Sequence, residues 1–168
     1  MLAAPAPPFR LGRENTALLL VDFQRFTTSR EHGYGKMASL RGIEREFEEY
    51  FTQAEAALCN AQRLLAECRR QQIPVIHRLL ACSSPDCSDL SRQFRIMGFD
   101  LPAGNPRAEI CPETAPLPGE LVLPRTTFSP FTNGDLHTIL QSMGVETLLL
   151  AGMMADTVLA MAAREAAD

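Results

Sequence analysis

Two short and almost purely apolar segments constrain the fold of this chain most strongly. They are residues 16–21 (TALLLV) and 147–151 (TLLLA), and they are followed at once by Asp22 and Gly152. Runs of this length and character are typical of strands buried on both faces, as in parallel sheets covered by helices. Two further segments, residues 74–77 and 120–123, predict additional strands of the same sheet.

Helical patterns alternate with these segments. Over residues 44–70 the apolar side chains recur at steps of three and four, with acidic first turns and a basic end, which predicts one long amphipathic helix. A second helix is predicted after a capping box at residues 132–135, and a last helix is predicted with Asp156 as its cap. Because parallel strands need crossover helices, the alternation predicts an α/β fold.

The remaining segments are predicted to be irregular. Residues 1–12 contain three prolines and are expected to form a flexible tail, with a single domain over residues 13–168. Residues 27–43 are polar, contain three glycines and are predicted to form a loop. Residues 81–119 are rich in Pro, Gly, Cys and Ser, and a loop of that length indicates a lid or binding loop, with one helical turn near residues 90–97.

Composition excludes several classes of function. The net charge is −4 and no basic stripe occurs, which argues against nucleic acid as a partner. No apolar run approaches the roughly 18–20 residues that cross a bilayer, so no membrane partner is predicted. The five cysteines are an odd number without a C-x-x-C pair, which favours reduced thiols and a cytoplasmic location. A small molecule is the expected partner, and self-association into a homo-oligomer stays open.

Three motifs at predicted strand ends carry a family resemblance. Residues 21–26 (VDFQRF), residues 123–131 (LPRTTFSPF) and residues 144–159 (GVETLLLAGMMADTVL) follow one another in the order and spacing of the isochorismatase-like, or cysteine hydrolase, superfamily. The chain resembles that superfamily from about Thr16 to its end. The resemblance implies a doubly wound, Rossmann-type three-layer α/β fold around a six-stranded, mostly parallel sheet. The family continues into further strands beyond the last helix here, so a domain missing its C-terminal strands is expected.

The resemblance also implies a site. Most members of the superfamily cleave amides with an aspartate, a lysine and a nucleophilic cysteine, and with an oxyanion hole beside a cis peptide bond. Asp22 stands at the aspartate position, and the cis bond would join Met153 and Met154. Arg125, however, replaces the lysine, and Val158 replaces the cysteine. Valine cannot attack a carbonyl, so no acyl-enzyme can form at this position.

Arg125 allows two interpretations at this stage. Its guanidinium could pair with Asp22 and lower the pKa of that acid, or it could bind a carboxylate of the substrate. One branch of the superfamily, the isochorismatases, lacks the cysteine and hydrolyses a vinyl ether, which requires an acid and water.

Two functions are therefore expected. One is hydrolysis of a small acidic or carbonyl substrate with Asp22 as general acid/base and Arg125 as its charge partner. The alternative is a catalytically inactive member that binds a small molecule or a partner. The histidine spacings match no metal site, so neither a metal nor another cofactor is predicted. The predicted substrate-binding residues are Gln24, Phe26, Phe128, Met153 and Met154.

Overall fold

Four parallel strands form the sheet in the part of the chain that the structure describes. The computed structural model describes residues 11–99, 101–102 and 104–167, so the predicted tail lies almost entirely outside the described residues. The strands are β1 (Thr16–Val21), β2 (Val75–Leu80), β3 (Leu121–Arg125) and β4 (Thr147–Gly152). Their order across the sheet is β3-β2-β1-β4, and all three pairings are parallel. The predicted parallel α/β sheet is confirmed.

Six helices accompany the strands in the described residues. They are α1 (Arg25–Thr28), α2 (Gly33–Arg41), α3 (Glu48–Arg70), α4 (Arg92–Ile96), α5 (Leu136–Ser142) and α6 (Ala160–Ala167). Short 3-10 turns lie at Arg45–Phe47, Pro106–Ala108 and Pro112–Thr114, and a π-helical turn at Ala155–Leu159 leads into α6. The long predicted helix and the helical turn in the 81–119 segment are confirmed.

Strand β1 shows why the domain has three layers. Leu18 and Leu20 point to one face of the sheet and pack against α3, through residues such as Leu65. The alternate residues Ala17, Leu19 and Val21 point to the opposite face and pack against α5 and the π-helical turn. All six residues of β1 are buried, as the alternation of side chains requires for a central strand covered by helices on both faces.

Helix α2 replaces a predicted loop, so that prediction was wrong. The glycines that indicated a loop serve close packing instead. A Cβ atom at Gly33 would lie 2.1 Å from the carbonyl oxygen of Phe26, and one at Gly35 would lie 2.1 Å from that of Arg30. The first turn of α2 can therefore lie against α1 and against the backbone at Arg30 only because side chains are missing at these two positions.

Several predicted helix and strand limits also needed correction. Asp135 precedes α5 but its side chain makes no capping hydrogen bond, so the predicted capping box is absent. Asp156 lies inside the π-helical turn and does not cap α6. Strand β2 continues to Leu80, so His77, predicted to end that strand, lies in its middle.

A disulfide closes part of the 81–119 segment. Cys82 and Cys87 are joined, with their Cα atoms 5.1 Å apart, within the usual range for a disulfide. The expectation that all cysteines are reduced was wrong, because two cysteines five residues apart can be joined when the loop between them turns back. The cysteine argument for a cytoplasmic location therefore loses its support. No helix among the described residues is both long and apolar enough to span a membrane.

Candidate active site

Three strand ends meet at one edge of the sheet. Asp22 directly follows β1, Arg125 is the last residue of β3, and Met153 directly follows β4. Strand β2 lies between β1 and β3, so the long side chain of Arg125 must cross the end of β2 to reach Asp22. It does so, and its guanidinium donates a hydrogen bond to Asp22 Oδ2. The structure thus brings together the two residues predicted as acid and charge partner.

The backbone at Asp22 adopts an uncommon conformation. Its φ angle is 57°, in the left-handed region that non-glycine residues rarely adopt. The Asp22 N–H donates to the carbonyl of Arg78 at 3.0 Å, and the hydroxyl of Thr27 donates to the Asp22 carbonyl at 2.6 Å. These bonds hold the strained residue at the point where the chain leaves the sheet, a feature that clusters at functional sites.

The carboxyl of Asp22 is buried and incompletely paired. Its side chain is 5% exposed, and Oδ1 has no hydrogen-bond partner. Burial raises the pKa of Asp22 to about 6, and the nearby Arg125 lowers it only in part. The expectation that pairing with Arg125 lowers this pKa was therefore wrong in its net direction, because the loss of hydration outweighs the attraction of the guanidinium.

Arg125 is the largest fully buried side chain in the described chain. Besides Asp22 it donates to the carbonyl of Thr127, while its Nε has no partner. The guanidinium lies over the ring of Phe94, 5.7 Å from the ring centroid. A guanidinium with one fixed carboxylate partner and an aromatic ring on its face favours the ion-pair interpretation over a free substrate contact.

The ring under the Arg125 guanidinium, Phe94, belongs to an aromatic layer that consists of Phe26, Phe94, Phe99 and Phe128. Phe94 stacks on Phe128 with ring centroids 4.1 Å apart, and Phe99 meets both Phe94 and Phe26 edge to face. Two of these rings, Phe26 and Phe128, were predicted as substrate-binding residues. Sequence reasoning missed Phe94 and Phe99, whose signal was that they are the two aromatic residues of the 81–119 segment.

Gln24 braces the long loop. It is fully buried, its Nε2 donates to the carbonyls of Leu80 and Ala108, and its Oε1 accepts from the N–H of Leu80 at 2.8 Å. The whole amide is therefore committed to backbone groups, which favours the role of a loop brace over contact with substrate.

The Met153–Met154 peptide bond is cis, as the family resemblance implied. The Met153 N–H donates to the carbonyl of Val21 at 3.0 Å, and Met154 Sδ accepts from the hydroxyl of Tyr34 at 3.7 Å. Gly152 allows this arrangement, because a Cβ atom there would lie 2.2 Å from the Val21 carbonyl oxygen. The end of β4 is thereby held tightly against the end of β1.

Val158 occupies an apolar environment. It is 2% exposed and packs in the cluster that includes Leu19 and Leu136. The free Cys111 lies near this edge of the sheet, since its N–H donates to the carbonyl of Phe23. Burial raises the pKa of the Cys111 thiol, whose sulfur lies 3.0 Å from the hydroxyl of Thr28. A raised pKa disfavours the thiolate that a nucleophile requires.

One small cavity lies beside Asp22 and is lined also by Phe23, His77 and Arg78. The cavity that touches Asp22 has a volume of about 10 Å³, room for about one water molecule. The described residues contain no cluster of three or more His, Cys, Asp or Glu side chains that could hold a metal ion.

Comparison with known proteins agrees with this geometry. Residues 16–168 match the isochorismatase domain family. Over 100 residues the chain is 35% identical to maleamate amidohydrolase from Pseudomonas putida, an alignment that covers 58% of this chain and 46% of that protein. It is 23% identical to ureidoacrylate amidohydrolase RutB from Agrobacterium fabrum, over 98% of this chain and 75% of that protein. The chain thus matches less than half the length of the first of these relatives.

Solved structures show the same fold. A cysteine hydrolase from Pseudomonas syringae pv. phaseolicola superposes with a TM-score of 0.77 at 20% identity, covering 99% of this chain and 72% of that one. N-carbamoylsarcosine amidase from Thermoplasma acidophilum superposes with a TM-score of 0.70 at 24% identity, covering 90% and 75%. The three-layer fold, the ordered motifs at the strand ends and a domain match over nearly the whole sequence lead to one conclusion: the chain belongs to the isochorismatase family.

Proposed function

We propose that this protein is a hydrolase in which Asp22 transfers protons to and from a small acidic or carbonyl substrate without a cysteine nucleophile. The observation that carries the proposal is the state of the Asp22 carboxyl. It is buried at the converging strand ends, with Oδ2 on Arg125 and Oδ1 unpaired, and burial raises its pKa to about 6. A general acid works best when its pKa lies near the operating pH.

The proposed chemistry follows from this acid and from Val158. A vinyl ether can be cleaved by proton transfer from an acid to the terminal carbon, addition of water to the resulting cation, and loss of the alcohol. No covalent intermediate on the protein is needed. Arg125 would stabilise the Asp22 carboxylate that remains after the proton has left. Because Val158 offers no thiol, this route suits the chain better than an acyl-enzyme route.

The names of the relatives suggest a substrate class. Maleamate amidohydrolase and ureidoacrylate amidohydrolase are both named for small unsaturated acids. A substrate of this kind combines a carboxylate with a carbonyl or amide. We therefore extend the proposal to small unsaturated carboxylic acids, with isochorismate, maleamate and ureidoacrylate as the first compounds to test.

A second candidate function rests on a separate observation. Asp22 and Arg125 are both buried, and the cavity of about 10 Å³ that touches Asp22 cannot hold an organic substrate in this conformation. A protein that stays in this state would bind small molecules elsewhere and catalyse nothing. This is the catalytically inactive alternative.

A turnover assay with Asp22→Asn separates the two candidates. We expect the wild-type protein to hydrolyse one of the three compounds, and Asp22→Asn to lose about 10²–10⁴-fold in kcat, the usual contribution of a general acid. Glu120→Gln removes an acid outside the site and serves as the matched control, with kcat unchanged. Equal rates for wild type and Asp22→Asn would contradict the proposal. No turnover by the wild type, together with a thermal shift from one of the compounds, would favour the inactive alternative.

A gain-of-function variant tests whether the missing thiol at position 158 is what prevents amide hydrolysis. Val158→Cys restores a thiol at the family position with a slightly smaller side chain. If the surrounding groups are intact, we expect the variant to release ammonia from maleamate faster than the wild type does. If the variant folds as the wild type does and gives no ammonia, the loss of amide chemistry has causes beyond Val158.

A further inference from the structure

A large cavity lies beside the aromatic layer, and neither Asp22 nor Arg125 is among its lining residues. The cavity has a volume of about 630 Å³. Its walls come from helix α2, from residues 96–99 and from Leu101 and Arg107, and it includes the rings of Phe26, Tyr34 and Phe99. Cavities of about 300–1,000 Å³ are the size at which proteins bind small organic molecules.

The charged side chains that line this cavity, among the described residues, are all positive. Three cations line it, Lys36 and Arg41 on α2 and Arg107 in the turn at Pro106–Ala108, and no described acidic residue does. None of the three cations forms an ion pair within the described part of the chain. Other exposed arginines, such as Arg30 with Glu48 and Arg70 with Glu67, do have acidic partners. The cavity thus holds positive charge that the described protein does not neutralise.

The rim of the cavity is apolar and exposed. Leu40 is 79% exposed, Ile96 is 64% exposed and Met97 is 40% exposed, and all three line the cavity. Large apolar side chains gathered around one concave surface are uncommon on a soluble protein and mark binding sites. Together with the ring faces inside, they offer contact to a flat apolar body.

We propose that this cavity binds a small organic carboxylate with an aromatic or similarly flat apolar body. The carboxylate would pair with Arg41 and Arg107, whose planar guanidinium groups suit carboxylate geometry. The body would lie against Phe26 and Phe99. Neither Asp22 nor Arg125 lines the cavity; Phe99, which does, meets Phe94 edge to face, and Phe94 lies under the Arg125 guanidinium. Binding in the cavity can be measured without reference to the proposed hydrolysis.

Calorimetric titration with two matched probes tests the proposal on the wild-type protein. Naphthalene-2-carboxylate supplies the ring and the charge, and naphthalene-2-carboxamide supplies the ring alone. We expect the carboxylate to bind with a Kd below about 1 mM and the carboxamide to bind at least about tenfold more weakly. No heat of binding with the carboxylate, or equal affinity for both probes, would overturn the proposal.

A pair of variants locates the site. Arg41→Gln/Arg107→Gln should weaken binding of the carboxylate by about tenfold or more. Arg45→Gln/Arg63→Gln is the control, since it removes the same charge at exposed positions outside the cavity and should change the Kd by less than about twofold. Equal weakening by the two double variants would show a general charge effect and would overturn the assignment of the site. Both variants change exposed side chains, and thermal unfolding confirms that each is folded.

Discussion

Two carboxyl groups of this protein, the buried Asp22 and the half-buried Glu120, face arginine, and their pKa values move in opposite directions. Asp22 lies beyond the carboxyl end of β1 and has a pKa raised to about 6. Glu120 directly precedes β3, at the other edge of the sheet. Burial alone would raise the pKa of Glu120 as well, but hydrogen bonds from Arg69, Leu117 and His77 outweigh it and lower the pKa to about 2.

The difference lies in the number of donors. Both Glu120 oxygens accept from Arg69, at 2.7 and 2.8 Å, and Oε2 also accepts from the N–H of Leu117 and lies 2.9 Å from His77 Nε2. Asp22 has Arg125 on one oxygen and nothing on the other. A carboxyl with several donors is held as a stable anion, whereas a desolvated carboxyl with one donor can take up and release a proton. We infer that Glu120 stabilises the fold as a permanent anion and that Asp22 can exchange a proton with a substrate.

Removing the arginine of each pair should give the largest difference in the free energy of unfolding between the two regions. Arg125→Met leaves a fully buried carboxyl without its partner, and we expect a loss of about 3–5 kcal/mol in the free energy of unfolding at pH 8. The loss should be smaller at pH 5, where Asp22 is mostly neutral. Arg69→Met should cost less than half as much, because Glu120 keeps its other donors. Urea unfolding of both variants at pH 5 and pH 8 measures these losses. Equal losses for Arg125→Met and Arg69→Met at pH 8 would contradict the comparison.

The pH dependence of stability should carry the signature of Asp22. Between about pH 4 and 6 the folded state holds a proton at Asp22 that the unfolded state has released, so the free energy of unfolding falls as pH rises through this window. With an unfolded value of 3.8 and a folded value of about 6, the fall amounts to about 3 kcal/mol. Asp22→Asn should lack this contribution. The same slope in wild type and variant would show that Asp22 has no raised pKa.

Glu120 should show the opposite sign. Its lowered pKa stabilises the fold above pH 4.5, and this contribution is lost as pH falls toward 2. Glu120→Gln should therefore lower the free energy of unfolding at pH 7 by about 1–3 kcal/mol. The difference from wild type should shrink below pH 3. If Glu120→Gln were as stable as the wild type at pH 7, Glu120 would not stabilise the fold as proposed.

An exposed ion pair provides the smallest expected effect. Glu48 pairs with Arg30 on the surface, where both side chains are largely exposed. Glu48→Gln should leave the unfolding midpoint unchanged within error, because solvent screens exposed pairs. A loss as large as that of Glu120→Gln would mean that charge removal in general, and not burial, sets the stability effects.

The sequence predicted the central sheet and its meeting strand ends because their signals are local. Runs such as Thr16–Val21 indicate strands buried on both faces, and the carboxyl ends of parallel strands share one edge. That rule alone placed Asp22 and Arg125 near each other. The family motifs then supplied the expected roles.

The features that could not be predicted depend on three-dimensional packing. The glycines Gly33 and Gly35 indicated a loop, yet they permit a helix whose backbone lies against α1. The net pKa direction of Asp22 depends on how much water is excluded, which the order of residues does not show. The disulfide between Cys82 and Cys87 depends on the path of the loop between them.

Carbon-13 NMR titration of the Asp22 carboxyl tests the central claim most directly. The carboxyl signal can be assigned by its absence in Asp22→Asn and followed across the acidic and neutral range. The structure predicts a midpoint at about pH 6. A midpoint at or below the ordinary aspartate value of about 3.9 would show that Arg125 holds Asp22 as a permanent anion, and would contradict its proposed role as a proton donor.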